Sequence, residues 1–95
     1  MSDAGGERVL RVTVVSPERQ LFDGEASAVL APAYDGRVGI LRRHAPFLTL
    51  LGRGDLVIRQ GGAADRTFPV DGGFAQVAGD RVRIVVERVQ VTSTA

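Results

Sequence analysis

The chain has 95 residues, of which 44% are hydrophobic and 24% charged, a balance that describes one globular domain with an adequate core. A formal net charge of +1 gives no overall electrostatic case for nucleic acid. The absence of Cys excludes disulfides, thiolate chemistry and Cys-based zinc sites.

In chain order, residues 1–7 are small, polar and Gly-rich and read as a disordered lead-in, and residues 8–88 read as the folded domain. Arg8 to Val15 is β-branched and largely alternating, which predicts the first strand. Ser16-Pro17 stops it, because Pro lacks the ladder donor. Asp23-Gly24 reads as a hairpin turn, and Glu25 to Ala33 as one long strand with Pro32 at an edge or bulge. Asp35-Gly36 is a second turn signal before a short strand from Val38 to Leu41. Arg42 to Pro46 is loop, and Phe47 to Leu51 is apolar, either strand or helical turn. Asp55 to Gln60 and Arg66 to Val70 form a hairpin around Gly61-Gly62. Asp71-Gly72-Gly73 reads as a turn or bulge before a strand from Phe74 to Val77. Gly79-Asp80 turns the chain into Arg81 to Glu87. Alternation there puts Val82, Ile84 and Val86 on one face, and Arg81, Arg83, Glu87 and a partly exposed Val85 on the other. Residues 89–95 read as a short tail.

No stretch of ten residues carries a 3.6-residue period. Short strands at regular spacing with Gly-containing turns predict an all-β sandwich or barrel. The apolar runs are too short to span a membrane, and the N-terminus has no apolar signal core, so membrane contact requires another subunit.

The sequence holds little material for catalysis. His44 is the only His, and no G-x-S-x-G is present. Asp23, Asp35, Asp55, Asp71 and Asp80 read as turn formers and not as paired catalytic acids. One His without Cys does not make a zinc site, and no cofactor is implied. Arg37, Arg42, Arg43 and Arg53 beside Tyr34 and Phe47 are thin material for strand binding, with aromatics at 5%. His44 reads either as a loop His fixing the segment before Pro46 or as an interface residue. The stretch from Tyr34 to Leu51 mixes Arg with Pro46, Phe47 and Leu48, which is how a protein-docking edge reads.

Five ordered motifs then carry a resemblance. They are VVSPE (Val14 to Glu18), FDG (Phe22 to Gly24), DGRVGIL (Asp35 to Leu41), HAPFLT (His44 to Thr49) and GGFAQV (Gly72 to Val77). Together they resemble the N-terminal β-sandwich of the epsilon subunit of F-type ATP synthase, called delta in mitochondria, from Val9 to about Glu87. The resemblance implies about ten short, mostly antiparallel strands and a non-catalytic role in the rotating central stalk. It implies two partners, the gamma subunit and the cytoplasmic loops of the c-ring, with peripheral placement at the cytoplasmic face of the bacterial membrane. Asp35, Gly36 and Arg37 match the c-ring-facing loop, joined by Arg42, Arg43 and His44. Phe22, Pro46, Leu48 and Phe74 are the candidates for the gamma-facing surface. Two departures stand out. Arg42-Arg43 replaces the family's usual Pro-Gly before the His, which implies acidic or carbonyl-rich partner loops. The family's inhibitory two-helix C-terminal domain is not expected, so neither inhibition nor nucleotide binding is carried over; the chain's own Met1 and polar tail favour a natural short form. The alternative is a free-standing β-sandwich adaptor outside the ATP synthase.

Overall fold

The computed structural model describes residues 9–42 and 45–89. The expected lead-in at 1–7, the tail beyond Val89, and Arg43 and His44 lie outside them. Eight strands are described: β1 (Leu10–Val15), β2 (Gln20–Ala26), β3 (Ala28–Ala33), β4 (Gly36–Ile40), β5 (Phe47–Leu50), β6 (Arg53–Arg59), β7 (Arg66–Ala78) and β8 (Arg81–Val89). Among the described residues a 3-10 turn at Gly62–Ala64 joins β6 to β7, and no α-helix occurs. The strand order is β2-β1-β8-β7-β6-β3-β4, with β5 added on β7. All pairings are antiparallel except β1 with β8.

The strand β7, 13 residues long, makes this one sheet into two layers. Its first half pairs with β6, from Ile58↔Arg66 to Arg53↔Asp71. Its second half pairs with β8 on one side and β5 on the other. One layer is therefore β2-β1-β8-β7-β5 and the other is β7-β6-β3-β4. The turn or bulge expected at Asp71 to Gly73 is instead a crossing between layers, with register kept on both sides. Gly72 and Gly73 make it with φ of 84° and 122°, which only Gly adopts without strain. Opposite them, Leu51 N–H donates to the Gly73 carbonyl (2.9 Å) and Gly72 N–H donates to the Gly52 carbonyl (3.1 Å). β5 and β6 thus follow β7 through the crossing as one ribbon.

Three other expectations are corrected. Asp23-Gly24 is not a turn, because β2 runs straight through it, with Thr13↔Asp23 and Val12↔Gly24 as partners. Asp23 spends its carboxylate across the strand, accepting from the Arg11 guanidinium (3.3 Å) and the Thr13 hydroxyl (3.4 Å). Glu25 to Ala33 is two strands, split at Ser27, where the chain changes layer and Ser27 N–H donates to the Arg59 carbonyl (2.8 Å). The last strand, expected to end at Glu87, runs to Val89, which pairs with Val70.

Seventeen apolar side chains fill the space between the layers, and every strand but β5 supplies at least one. Alternation sets the selection. Leu10, Val12 and Val14 of β1 and Val82, Ile84 and Val86 of β8 are all buried, as are Leu56 and Ile58 of β6 from the other layer. Each such side chain contributes about 1.5–3 kcal/mol by leaving water. The layers also meet at their margins. The Arg66 guanidinium lies 5.7 Å from the Phe22 ring and 5.3 Å from Phe68, and the Gln60 amide donates to the Glu25 carbonyl (2.9 Å). The β6–β7 hairpin is closed by Asp65, whose Oδ1 accepts the N–H groups of Gln60 (2.8 Å) and Gly61 (3.0 Å). Asp65→Ala should cost about 1 kcal/mol, as loss of a comparable cap does. Hydrogen exchange should speed up in this hairpin and stay unchanged in β8.

Candidate protein-docking face

Register decides which side chains share the outer face of the β2-β1-β8-β7-β5 layer. Directly opposed residues point the same way. Leu50 faces Phe74, Phe74 faces Val85, and Val85 faces Val15, so four apolar residues form one row across four strands. Leu50 is 59% exposed, while Phe74, Val85 and Val15 are half-buried. Two residues along, the next row reads Leu48, Gln76, Arg83, Thr13 and Asp23. Leu48 is 64% exposed. Beyond it come Ala78, Arg81, Arg11 and Glu25. A shallow depression of ≈ 500 Å³ lies here, lined by Arg11, Thr13, Gln76, Arg81 and Arg83 among others.

The apolar row ends at a sheet margin. β5 is hydrogen-bonded as a strand to β7 only. On its other side the β3–β4 turn comes close, with Tyr34 N–H donating to the Leu50 carbonyl (3.1 Å) and Ala33 bridged to Leu51. Tyr34 is 71% exposed. Among the described residues, three of the four exposed large apolar ones, Tyr34, Leu48 and Leu50, therefore gather on one margin, and isolated exposure would not have this pattern.

The residues expected at the site fall into distinct places. Asp35, Gly36 and Arg37 form the exposed β3–β4 turn, with Gly36 at φ 137°. Arg42 is exposed two residues past the other end of β4. At about 3.3 Å per residue, the strand separates Asp35 and Arg42 by roughly 15–20 Å, so they do not share one loop. Arg43 and His44 lie outside the described residues. Pro46 and Leu48 are exposed beside each other on the β5 margin, and Phe74 is half-buried in the apolar row. Phe22 is different. It is 8% exposed and belongs to the core, with its ring against Gly24 and under Arg66. Sequence alone singled out neither Leu50 nor Val15 as a surface residue, whereas it placed Val85 on the outer face. The signal for Val15 was that it shares the face of Arg11 and Thr13 in the alternation of β1.

No group of three or more His, Cys, Asp or Glu side chains is placed to hold a metal among the described residues. No helix there is long and apolar enough to cross a membrane.

The family of the ATP synthase delta/epsilon chain β-sandwich domain matches residues 9–91. The chain belongs to this family. It is 41% identical over 78 residues to the ATP synthase epsilon chain of Caulobacter vibrioides, covering 82% of this chain and 90% of that protein. It is 39% identical over 83 residues to the epsilon chain of Frankia casuarinae, covering 87% and 98%. Against the Hyphomonas neptunium epsilon chain it is 38% identical over 86 residues, spanning 90% of this chain and only 64% of that longer one. The fold agrees with a chain of the Euglena gracilis mitochondrial ATP synthase (OSCP/F1/c-ring), at TM-score 0.79 and 21% identity over 95% of this chain and 57% of that one. A chain of the Tetrahymena thermophila mitochondrial central stalk and c-ring matches at TM-score 0.71, also 21% identical, over 85% and 65%. In this epsilon-family domain the all-β sandwich expected from sequence is present, built from eight described strands where about ten were anticipated. Part of the difference is β7, one strand where two were expected.

Proposed function

We propose that this chain is a non-catalytic rotor subunit of an F-type ATP synthase, coupling c-ring rotation to the gamma subunit during proton-driven synthesis. The observation that carries the reading is the exposed apolar margin of Tyr34, Leu48 and Leu50, continuous with Phe74, on a face held rigid by the sandwich. Apolar centres with charged surroundings are what protein partners bury. The gamma subunit covers this margin, contacting Pro46, Leu48 and Phe74 together with Leu50. Phe22 supports the face from within. The β3–β4 turn of Asp35, Gly36 and Arg37, with Arg42, Arg43 and His44, meets the cytoplasmic loops of the c-ring. Placement at the cytoplasmic face of the bacterial membrane then follows from the complex and not from any lipid contact of the chain. The family and the epsilon-chain relatives support this reading.

Function in this role is mechanical. The domain must transmit torque, so its two contact regions must be fixed relative to one another. The Tyr34–Leu50 hydrogen bond and the Ala33–Leu51 bridge tie the turn to the gamma-facing margin directly. Reconstituted vesicles carrying the cognate complex provide the test. Arg42→Glu with Arg43→Glu should reduce ATP-driven proton pumping several-fold while leaving the melting curve of the isolated domain unchanged. Pumping equal to wild type would remove these two Arg from the ring contact.

A further inference from the structure

In the basic cluster beside the apolar row only Arg11 is tied into the fold, by its ion pair with Asp23. Arg81 and Arg11 are directly opposed across the β1–β8 pair, and Arg83 follows on the same face, opposite Thr13. Like charges directly opposed across strands disfavour the pairing. The acids of this face, Asp23 and Glu25, both lie on β2, beyond Arg11. Asp23 is already engaged by Arg11 at 3.3 Å and by the Thr13 hydroxyl. Among the described residues no carboxylate lies within ion-pair distance of Arg81 or Arg83. Both are exposed, and they line the depression of ≈ 500 Å³ with Gln76 between Arg83 and Leu48. Among the described residues of this face, three guanidiniums thus stand against one committed carboxylate and one at the far margin. Next to them, in register, run Leu50, Phe74, Val85 and Val15.

We propose that this face binds an acidic segment of the partner that covers the apolar row, with Arg81 and Arg83 pairing two carboxylates and Arg11 released in part from Asp23. The proposal rests on the docking reading above and adds the partner's chemistry. Charge complementarity selects carboxylates. Continuity with the apolar row selects a protein segment over a free anion, since a small anion would leave Leu50 and Val85 in water. Arg suits such a contact because its planar donors meet carboxylates two at a time. Charges at the side of an apolar contact act mainly on encounter rate and on salt dependence.

The test titrates the full chain with its cognate gamma subunit at low and at raised salt, for wild type, for Arg81→Glu with Arg83→Glu, and for Leu50→Asp. Wild-type affinity should fall as salt rises. The Arg pair variant should bind about tenfold or more weakly at low salt, with the salt dependence flattened. Leu50→Asp should weaken binding at every salt while keeping the slope. Retained affinity and slope in the Arg variant, with Leu50→Asp impaired, would overturn the acidic-segment proposal and leave the docking face standing. No change in either variant would overturn both. A milder pair, Arg81→Gln with Arg83→Gln, guards against misfolding of the charge-reversed protein; it should shift affinity and slope in the same sense, and wild-type behaviour in it would count against the proposal.

Discussion

Gly73→Ala should lower the melting temperature of this domain by roughly 12–24 °C, corresponding to about 3 kcal/mol for a domain of this size. Gly73 has φ 122°, where an L side chain is strained by about 1–3 kcal/mol. A Cβ built there would stand 2.0 Å from the Val85 carbonyl oxygen and 3.0 Å from the Glu87 nitrogen. Both obstacles are backbone of the paired strand, so no rotamer change relieves them. The crossing of β7 between layers would have to open, and with it the Phe74↔Val85 pairing that starts the docking row. Two neighbouring substitutions calibrate the claim. Gly72→Ala meets first the Glu87 carboxylate at 2.5 Å, the far end of a flexible side chain that can swing away, so it should cost less. Gly36→Ala has φ 137° with nothing within 4 Å, and should show backbone strain alone, about 1 kcal/mol. Thermal melts of the three proteins should rank them in that order.

The second large effect is on binding and leaves stability alone. Leu48→Asp with Leu50→Asp should weaken association with the gamma subunit by roughly 30–1000-fold, the 2–4 kcal/mol that central apolar contacts carry. Both side chains are mostly exposed in the isolated domain, so its stability should change by no more than about 0.5 kcal/mol. Titration calorimetry beside a melting curve separates the two quantities. A large loss of stability would instead make these leucines part of the fold.

Much of this architecture is readable along the chain because alternation is local information. Val82, Ile84 and Val86 face the core and Arg81, Arg83 and Glu87 face out, as their spacing dictates. Gly79-Asp80 turns the chain, and Pro17 follows the end of β1. Other features are properties of pairs, and single-residue patterns do not contain them. Asp23-Gly24 has the composition of a hairpin turn, yet Thr13 and Arg11 across the strand hold it extended. Ser27 breaks an apparently continuous strand because Arg59, 32 positions away, accepts its hydroxyl and its N–H. Phe22 has the look of a docking residue until Arg66 and the opposite layer close over it. The apolar row and the basic cluster are of the same kind. Their members come from four strands, and only the parallel register of β1 on β8 brings Arg11 to Arg81 and Val15 to Val85. The mixture of Arg with Pro46, Phe47 and Leu48 made the Tyr34–Leu51 stretch read as a docking edge, and that stretch supplies the exposed Tyr34, Leu48 and Leu50.

The structure also connects scaffold to role. A rotor element passes on torque only if its contact regions do not move relative to each other. Here the ribbon of β5 and β6 runs with β7 through both layers, so the apolar margin and the core share one continuous hydrogen-bonded frame. The crossing in that frame depends on two glycines, while the exposed Tyr34, Leu48 and Leu50 lie outside the core.

Size-exclusion chromatography of the chain mixed with its cognate gamma subunit, with both proteins shown to be folded, tests the central claim most directly. The account predicts a stable one-to-one complex that Leu48→Asp with Leu50→Asp dissolves. Separate elution of two folded proteins would contradict it and would favour a free-standing adaptor outside the ATP synthase.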